Sequence, residues 1–481
     1  MPEKITTQVA IIGAGPAGLS AASAAANAGC QVALLDTYAR PGGQYYRQLA
    51  QGLTSHRPGA LHHEYATGAR LFQNLEAYPE ITLYSGANVW AAESVQGNFV
   101  LQVDQTLYSE NSSEKKALEI TAQVVILAPG AYDRALAFPG WDLPGVMTVG
   151  GIQALLKSYR VRPGQRVALS GSGPFLLPVA ALLAQSGAEV VGVFEATHPR
   201  HWLTSAHRSI SHLDKMTEGA GYMSTIRKQR IPYKYGRAVI RAEGSERVER
   251  ITVARLDADW KPLEGRNEEL EVDALGIGYG FMPNTELTYA LGCAHRYDHS
   301  QAAFFATHKH DMQSSQPGVY VAGEITGIAG SAVALQQGSI AGWAAAGQLG
   351  KVSQKVVEDK TDKARRELKH QKAFAETLNR LFTLRPGRFR WMTSETILCR
   401  CEEVTAGKVR EAVREAKAQD VRSVKLQTRC GMGLCQGRVC GHLVTGLVAD
   451  LTGRDPAEVG TFTTRPIVRP LPLGQIAGKG E

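Results

Sequence analysis

The segment from Val9 to Asp36 constrains the fold of this chain more than any other part of its sequence. A short apolar run ends in a turn with three glycines, an alanine-rich stretch follows, and a second apolar run ends in an acid. In such a unit the first glycine permits the turn, the second lets the backbone reach a pyrophosphate, and the third lets a helix pack on the strand. The pattern predicts an α/β dinucleotide-binding unit with ligand contacts from Gly13, Gly15, Pro16, Ala17, Gly18 and Asp36.

FAD and NAD share that fingerprint, so further segments must decide between them. The apolar run 124–130, the stretch 278–285 and the short strand ending in Gly-Glu at 323–324 resemble the return segments of two-dinucleotide-domain flavoproteins. In those proteins the last motif has Gly-Asp, so the Glu of this chain is one methylene longer. The resemblance implies FAD as a cofactor and adds Ala128, Gly130, Gly323, Glu324 and Gln336 to the predicted site.

A second glycine turn follows a strand-like run at 166–169 but departs from the fingerprint. Gly171 and Gly173 are present, whereas Leu176 replaces the third glycine and is expected to hold the helix away from the strand. Glu195 occupies the position of the acid that selects NAD over NADP. The sequence leaves two interpretations of this inserted unit: a site for NAD or another adenine nucleotide, or a structural relic.

The region after Asp36 lacks the redox-active cysteine pair that disulfide reductases with this fold have. The chain has no cysteine between Cys30 and Cys293, which excludes thiol–disulfide exchange at the flavin. Gly42, Gly43 and Gln44 occupy this region, and the two glycines are expected to let the backbone pass close to the flavin.

Five of the seven cysteines fall within 42 residues near the C-terminus: Cys399, Cys401, Cys430, Cys435 and Cys440. The chain shows no export signal, so this clustering indicates a metal site rather than a disulfide framework. The Cys-x-Cys pair is unusual for zinc, which prefers two to four intervening residues. Structural zinc and unliganded thiols are the alternatives to an iron–sulfur cluster.

Charge and hydropathy exclude several classes of protein. The net charge of +8 over 481 residues includes no block of five or six like charges, which argues against nucleic acid as the main partner. No apolar run is long enough to form a transmembrane helix, and the N-terminus does not resemble a signal peptide. We therefore expect a cytoplasmic protein, and peripheral contact with the inner face of the membrane is compatible with this expectation.

The order GAGPAG, PGGQ, GSGP, GYGFMPN, GEITG, CRCEEV, CGMGLCQGRVC resembles the large FAD-containing subunit of the opine oxidase, hydrogen cyanide synthase and D-hydroxyproline dehydrogenase family. The last two motifs resemble a 2Fe–2S domain of the bacterioferritin-associated-ferredoxin type. This resemblance implies Cys399, Cys401, Cys435 and Cys440 as ligands, with Cys430 as a neighbour. It also implies that the chain pairs with an amino-acid-oxidase-like FAD subunit, joined in some members by a small ferredoxin-like chain.

The predicted fold class is α/β, with two Rossmann-like domains, the second inserted in the first, and a small helical iron–sulfur domain. The predicted boundaries are 1–140 with 281–346 (FAD), 141–280 (inserted), 347–394 (linker), 395–455 (cluster) and 456–481 (proline-spaced tail). These parts use nearly all positions and leave no separate substrate domain.

We therefore expect an electron-transfer subunit of a multi-subunit amino acid or opine dehydrogenase, in which FAD exchanges one or two electrons and a 2Fe–2S centre exchanges one. A self-contained NAD(P)H-dependent flavin reductase is the alternative. A non-catalytic, cluster-bearing sensor is disfavoured by the intact first nucleotide motif. The sequence identifies no catalytic residue and no specific amine.

Overall fold

The computed structural model describes residues 2–50, 52–53, 65–108, 113–198, 213–462, 464 and 467–476, with the side chains of 65, 66, 213–220 and 475 excepted. Part of the predicted proline-spaced tail therefore lies outside the described residues. None of the described helices is long and apolar enough to cross a membrane.

The N-terminal part of the chain forms a mixed sheet with helices. Its elements are β1 (Glu3–Ile12), α1 (Pro16–Asn27), β2 (Val32–Asp36), α2 (Tyr65–Ala77), β3 (Ile81–Ser85), β4 (Ala87–Val95), β5 (Asn98–Tyr108), β6 (Ser113–Leu127) and β7 (Ala131–Asp133). The strand order is β3-β2-β1-β6-β5-β4, and the β1, β2, β3 and β6 neighbours pair in parallel. Residues 9–12 of β1 are all buried, as expected for a parallel strand covered on both faces.

The inserted part forms a second parallel sheet and an antiparallel meander. Its elements are β8 (Val146–Thr148), α3 (Val149–Ala154), a π-helical turn (Leu155–Tyr159), β9 (Arg166–Gly171), α4 (Leu176–Gln185), β10 (Glu189–Glu195), α5 (Leu213–Lys228), β11 (Tyr233–Tyr235), β12 (Arg237–Glu243), β13 (Arg250–Leu256), β14 (Pro262–Glu271) and β15 (Ala274–Gly278). The parallel sheet has the order β11-β10-β9-β15-β8, and β12, β13 and β14 form the meander.

The chain then returns to the first sheet. The return elements are β16 (Phe281–Pro283), α6 (Glu286–Ala290), β17 (His295–Asp298), β18 (Ala303–Ala306), β19 (Val319–Val321), a 3-10 turn (Gly323–Thr326) and α7 (Ser331–Gln348). Strand β19 pairs in parallel with β6, and β16 pairs with β7. The α/β fold with one Rossmann-like sheet inserted in another is confirmed.

Small residues allow α7 to lie directly on α1. A Cβ added to Gly338 would lie 2.0 Å from the carbonyl oxygen of Ala17, and one on Gly342 would lie 2.4 Å from that of Ala21. The two helix backbones are therefore close enough that larger side chains at these positions would separate them. This packing brings the return segment to the first glycine turn.

The C-terminal part begins with a long charged helix and ends in a small helical domain. Its elements are α8 (Gln354–Leu381), a 3-10 turn (Pro386–Arg390), β20 (Ile397–Cys399), β21 (Val404–Thr405), α9 (Ala406–Arg414), α10 (Val421–Thr428), α11 (Gly441–Thr452), α12 (Pro456–Val459) and α13 (Leu473–Ile476). Thr405 caps α9, because its hydroxyl accepts the N–H of Lys408 at 3.3 Å.

Candidate cofactor sites

The first glycine turn is closely packed, and two of its glycines are required by the packing. Gly13 has φ +102°, and a Cβ there would lie 2.2 Å from the carbonyl oxygen of Ala128 on the neighbouring strand. A Cβ on Gly18 would lie 1.7 Å from the carbonyl oxygen of Gly13. The turn and the helix that follows it therefore hold their positions only with glycine at both places.

Gly15 differs, because the space in front of it is open. A Cβ there would meet only the Cα of Gly43 at 3.9 Å, and the Gly15 φ of −75° suits any residue. Helix α1 begins at Pro16 without a side-chain cap, so first-turn N–H groups and the positive end of the helix dipole face this space. A pyrophosphate fits such a cradle, which supports the predicted FAD site.

The predicted loop 42–44 closes over the turn. The N–H of Gly42 donates to the carbonyl oxygen of Ala14 at 2.8 Å, and a Cβ on Gly43 would lie 2.8 Å from the Cα of Gly15. The third residue, Gln44, donates its side-chain amide to the hydroxyl of Tyr38 at 2.6 Å. The two glycines thus bring the loop backbone against the nucleotide turn, while the glutamine faces the loop after β2.

Asp36 holds the turn from the end of β2. Its carboxylate accepts the N–H of Ala14 at 2.5 Å and that of Tyr38 at 2.7 Å. Burial raises the pKa of Asp36, and these two hydrogen bonds lower it. Each carboxylate oxygen keeps acceptor capacity for a ribose hydroxyl, as the fingerprint predicts.

The return segment contributes a buried glutamine that the sequence did not indicate. Gly323, with φ +80°, lies against Ala17, and its N–H donates to Oε1 of Gln337 at 2.8 Å. The amide nitrogen of Gln337 donates to the hydroxyl of Thr326 at 2.8 Å. The predicted Gln336 is only half-buried on α7, so Gln337 is the residue that holds this turn. Its spacing of three residues from Ala334 places both on one face of α7, and this spacing is the sequence signal for it.

Glu324 binds the backbone of the loop that precedes α7. Its carboxylate accepts the N–H groups of Ala329 and Gly330, both at 3.0 Å, and burial raises its pKa to about 7. On the other return segment, the carbonyl oxygen of Gly130 accepts the N–H of Asn284 at 3.0 Å. Both predicted residues therefore position the backbone around the first sheet's nucleotide turn.

In the second glycine turn, Gly278 on the neighbouring strand β15 leaves room for the side chain of Leu176. Leu176 is buried, and its side chain lies against Gly171 and Gly278. A Cβ on Gly171 would lie 1.9 Å from the carbonyl oxygen of Gly278, so the two strands approach closely there. The leucine side chain therefore fills the space that the helix backbone would occupy if the third residue of the motif were glycine.

The acid of the second turn repeats the arrangement of Asp36. Glu195 accepts the N–H of Gly173 at 3.0 Å and that of Thr197 at 2.9 Å. Its side chain is 1% exposed, and burial raises its pKa to about 7. A Cβ on Gly173 would meet nothing within 4 Å, so the space in front of this turn is open as well.

All five C-terminal cysteines meet in the small domain. The sulfur atoms of Cys399, Cys430 and Cys440 lie within 4.8 Å of one another and are buried. Cys435 contacts both Cys440 and the exposed Cys401 through their sulfur atoms. The structure thus brings the four predicted ligands together and places Cys430 among them.

The electrostatics of this pocket favour thiolates at Cys399 and Cys435, whereas contacts with neighbouring sulfur atoms raise the pKa of Cys430 and Cys440 and burial raises that of Cys401. Hydrogen bonds from Cys430 and Cys440 lower the pKa of Cys399 to about 2, and the N–H of Gly431 also donates to that sulfur. Contact with Cys440 lowers the pKa of Cys435 to about 5, assisted by the N–H of Gly437. A thiolate set with backbone N–H donors suits an iron–sulfur cluster, which Cys399, Cys401, Cys435 and Cys440 would hold as a one-electron carrier.

Two family matches agree with this geometry. Residues 7–358 match the Pyridine nucleotide-disulphide oxidoreductase family. The chain belongs to this family. Residues 397–450 match the BFD-like 2Fe-2S binding domain. FAD and a 2Fe–2S cluster are therefore the cofactors of this flavin oxidoreductase.

Relatives of similar length combine the same parts. The chain is 33% identical to an opine oxidase subunit of Rhizobium meliloti, over 98% of this chain and 87% of that protein. It is 30% identical to hydrogen cyanide synthase subunit HcnB of Pseudomonas protegens, over 96% of each. The structure of L-proline dehydrogenase from P. horikoshii has the same fold, with a TM-score of 0.70 and 21% identity, over 98% of this chain and 80% of that one.

The two cysteines that precede the C-terminal domain lie apart from each other. Cys30 is buried in the core beside α1, and Cys293 is buried in a separate core with a 3.4 Å contact to the hydroxyl of Ser314. No other cysteine precedes the C-terminal domain.

Arg438 joins the cysteine loop to the flavin oxidoreductase fold. Its guanidinium forms an ion pair with Glu286 at 2.7 Å and donates to the hydroxyl of Tyr132 at 3.2 Å. It also donates to the carbonyl oxygens of Cys435, at 3.2 Å, and of Val468. Tyr132 lies in β7, two residues after the predicted FAD residue Gly130, so one side chain connects the two redox regions. Arg438 lies within the motif CGMGLCQGRVC, but the cysteine spacing of that motif indicates no role for it.

Proposed function

We propose that this chain is the electron-transfer subunit of a multi-subunit dehydrogenase or oxidase that acts on an amino acid or opine. In this proposal an amino-acid-oxidase-like partner subunit oxidises the CH–NH bond of the substrate on its own flavin. The electrons then pass through the FAD and 2Fe–2S centres of this chain to an acceptor. A small ferredoxin-like subunit is a further candidate partner.

The observation that supports this proposal most strongly is the docking of the cysteine domain on the flavin oxidoreductase fold. The indole N–H of Trp141, in the inserted part, donates to the carbonyl oxygen of Ile397 in β20 at 2.6 Å. Trp391 donates in the same way to the carbonyl oxygen of Trp260 at 2.9 Å, and the two rings stack. A shared apolar core continues from the inserted sheet into the cluster domain. Such contacts keep two redox centres at a constant separation, as electron transfer requires.

The names of the relatives point to the substrate class. One relative is a subunit of an opine oxidase, and HcnB is a subunit of a hydrogen cyanide synthase. Their lengths and that of this chain are similar, so the comparison extends across the cluster domain. An opine and a free amino acid share the amine that such a complex would oxidise, and we propose this class for the complex that contains our chain.

A self-contained NAD(P)H-dependent reductase is the second candidate, because the second glycine turn keeps its acid in place. Glu195 holds Gly173 as Asp36 holds the first turn, and the space before Gly173 is open. If NADH delivered hydride to the flavin directly, the chain would need neither an amine nor a partner to become reduced.

An anaerobic reduction experiment separates the two candidates. The FAD- and cluster-loaded chain is mixed with a panel of amino acids and opines, with or without the partner encoded by the native host, or with NADH alone. We expect flavin bleaching by an amine only when the partner is present, and no stoichiometric bleaching by NADH. Bleaching by an amine without the partner would contradict the proposal, and rapid stoichiometric bleaching by NADH would favour the reductase.

A further inference from the structure

A cavity that opens to solvent lies where the first sheet's unit, the linker after α8 and the cluster domain meet. Its walls come from all three parts and include Arg134, Tyr297, Arg388, His442, Leu443 and Gly446. None of these residues belongs to the predicted FAD, nucleotide or cluster sites. The cavity is notable because two of its walls are guanidinium groups.

Arg134 is a buried cation at one wall of this cavity. Its side chain follows β7 and is 4% exposed. The guanidinium donates to the carbonyl oxygen of Gln301 at 2.7 Å and contacts the thioether of Met282 at 2.9 Å. No carboxylate among the described residues forms an ion pair with it, and burial lowers its pKa to about 10. Neutral acceptors compensate a buried positive charge only in part.

Arg388, on the 3-10 turn Pro386–Arg390, is the second such cation. Its guanidinium donates to the carbonyl oxygen of Arg385 at 2.8 Å and lies 4.1 Å from the ring centre of Phe389. Burial lowers its pKa to about 10, and the exposed Asp450 acts on it through space without forming an ion pair. Two guanidinium groups therefore share one cavity, although like charges repel.

His442 adds an unsatisfied polar atom to the same cavity. Its Nε2 bonds the carbonyl oxygen of Ala135 at 3.0 Å, which makes Nε2 the donor. Its Nδ1 is buried and has no hydrogen-bond partner among the described residues. A buried polar atom without a partner indicates that a group absent from the protein chain completes the cavity.

We propose that this cavity binds a small oxyanion, a phosphate or a carboxylate group, between Arg134 and Arg388. The planar guanidinium groups match the oxygens of either group. A ligand that also has a hydroxyl or ammonium donor could meet Nδ1 of His442. Because Arg134 belongs to the first unit, Arg388 to the linker and His442 to the cluster domain, the bound anion links these three parts and stabilises the docked cluster domain.

The proposal is tested on the full chain loaded with FAD and cluster. Its melting temperature is measured against inorganic phosphate and, separately, acetate, with chloride keeping the ionic strength constant. We expect a saturable rise with at least one of them, since a ligand that binds only the folded state stabilises it. The anion that saturates identifies the ligand as a phosphate or a carboxylate. A saturable effect of neither anion would overturn the proposal and would mean that the negative cluster itself balances these arginines.

A pair of variants locates the effect. Arg388→Gln removes a cavity cation, and Arg390→Gln removes an exposed cation from the same turn. We expect the apparent anion affinity to fall at least about tenfold in R388Q, because a charged hydrogen bond is lost, and to stay within about twofold in R390Q. Equal affinities in the two variants would contradict the site.

Hydrogen exchange on the unmodified protein gives a measurement that does not depend on a variant folding. A bound anion should slow amide exchange in the segments around Arg134, Arg388 and His442 and leave α8 unchanged. A rise in melting temperature without this local protection would indicate a general salt effect and would overturn the proposal.

Discussion

Gly15 and Gly18 lie three residues apart in one turn, yet the protein's own packing requires glycine only at Gly18. A Cβ on Gly18 would overlap the carbonyl oxygen of Gly13, whereas one on Gly15 would reach only ordinary contact distance from Gly43. The first position is therefore restricted by the protein itself. The second is restricted only by what occupies the space before the turn, where the glycine motif predicts the FAD pyrophosphate.

This difference yields a prediction for two alanine variants. Gly18→Ala should destabilise the protein by about 3 kcal/mol, because the added methyl group forces the helix from the turn. Gly15→Ala should leave the unfolding free energy of the FAD-free protein within about 0.5 kcal/mol of the original and weaken FAD binding at least about tenfold. Denaturant unfolding and flavin titration measure the two effects. Unchanged FAD affinity in G15A would place the pyrophosphate elsewhere.

The five clustered thiols allow a test of the predicted ligand set. Cys430 lies within the buried trio, whereas Cys401 is exposed and touches Cys435. We predict that Cys430→Ser retains two iron and two acid-labile sulfide atoms per chain, as a 2Fe–2S cluster contains. Cys401→Ser should lose most of both. Iron and sulfide assays with visible circular dichroism measure this. Cluster loss in C430S with retention in C401S would show that Cys430 replaces Cys401 as a ligand.

At the scale of elements, the two glycine turns show how one motif persists with different packing. Helix α1 lies on its strand through Gly18, whereas α4 begins with Leu176, whose side chain fills the space beside Gly278. The departure at position 176 is thus matched by a glycine on β15, more than a hundred residues later. The expectation that Leu176 holds helix and strand apart agrees with its place in the core between them.

Leu176→Ala tests whether this leucine is structural. The change restores a small residue at the third position of the motif but leaves a cavity in the core beneath α4. We predict a loss of about 3 kcal/mol in the free energy of unfolding, within the usual range for a buried leucine, and no gain in NAD affinity. Denaturant unfolding and NAD titration check both. Tighter NAD binding without a stability loss would show that the leucine obstructs a nucleotide site instead.

At the scale of the whole molecule, the position of the cluster domain depends on a few polar contacts around an apolar junction. Arg438 is the most connected of them, and its side chain is 13% exposed against 19% for its partner Glu286. Removing one partner of a largely buried ion pair costs stability, because the charge that remains is partly desolvated and has lost its counter-charge. This contact also lies directly between the cysteine loop and β7.

Arg438→Gln should therefore loosen the docked domain. We predict a stability loss of about 3 kcal/mol and unfolding of the cluster domain at a lower denaturant concentration than release of the flavin. Arg366→Gln, which removes an exposed arginine paired with Asp362 on α8, should change stability by less than about 0.5 kcal/mol. Visible absorption follows both cofactors during unfolding. Coincident transitions in R438Q would contradict a docking role for this residue.

Much of the fold and part of the site could be predicted from local sequence. The glycine turn, the acid of β2 and the cap of α9 depend on residues within about thirty positions of one another, and local backbone geometry determines them. The FAD and 2Fe–2S cofactors likewise followed from motifs whose members are close in the chain. The domain boundaries and individual ligands predicted from these motifs await the experiments described above.

Other features became visible only when distant segments met. Gln337 holds Gly323 because α7 lies on α1, Cys430 joins the other thiols because α10 ends beside β20, and Arg438 reaches Tyr132 across the domain junction. Nothing near Arg134 or Arg388 in the sequence indicates that they share a cavity. Periodicity and turn chemistry are set by neighbours in the chain, whereas burial and charge compensation are set by neighbours in space, and only the tertiary structure determines the latter.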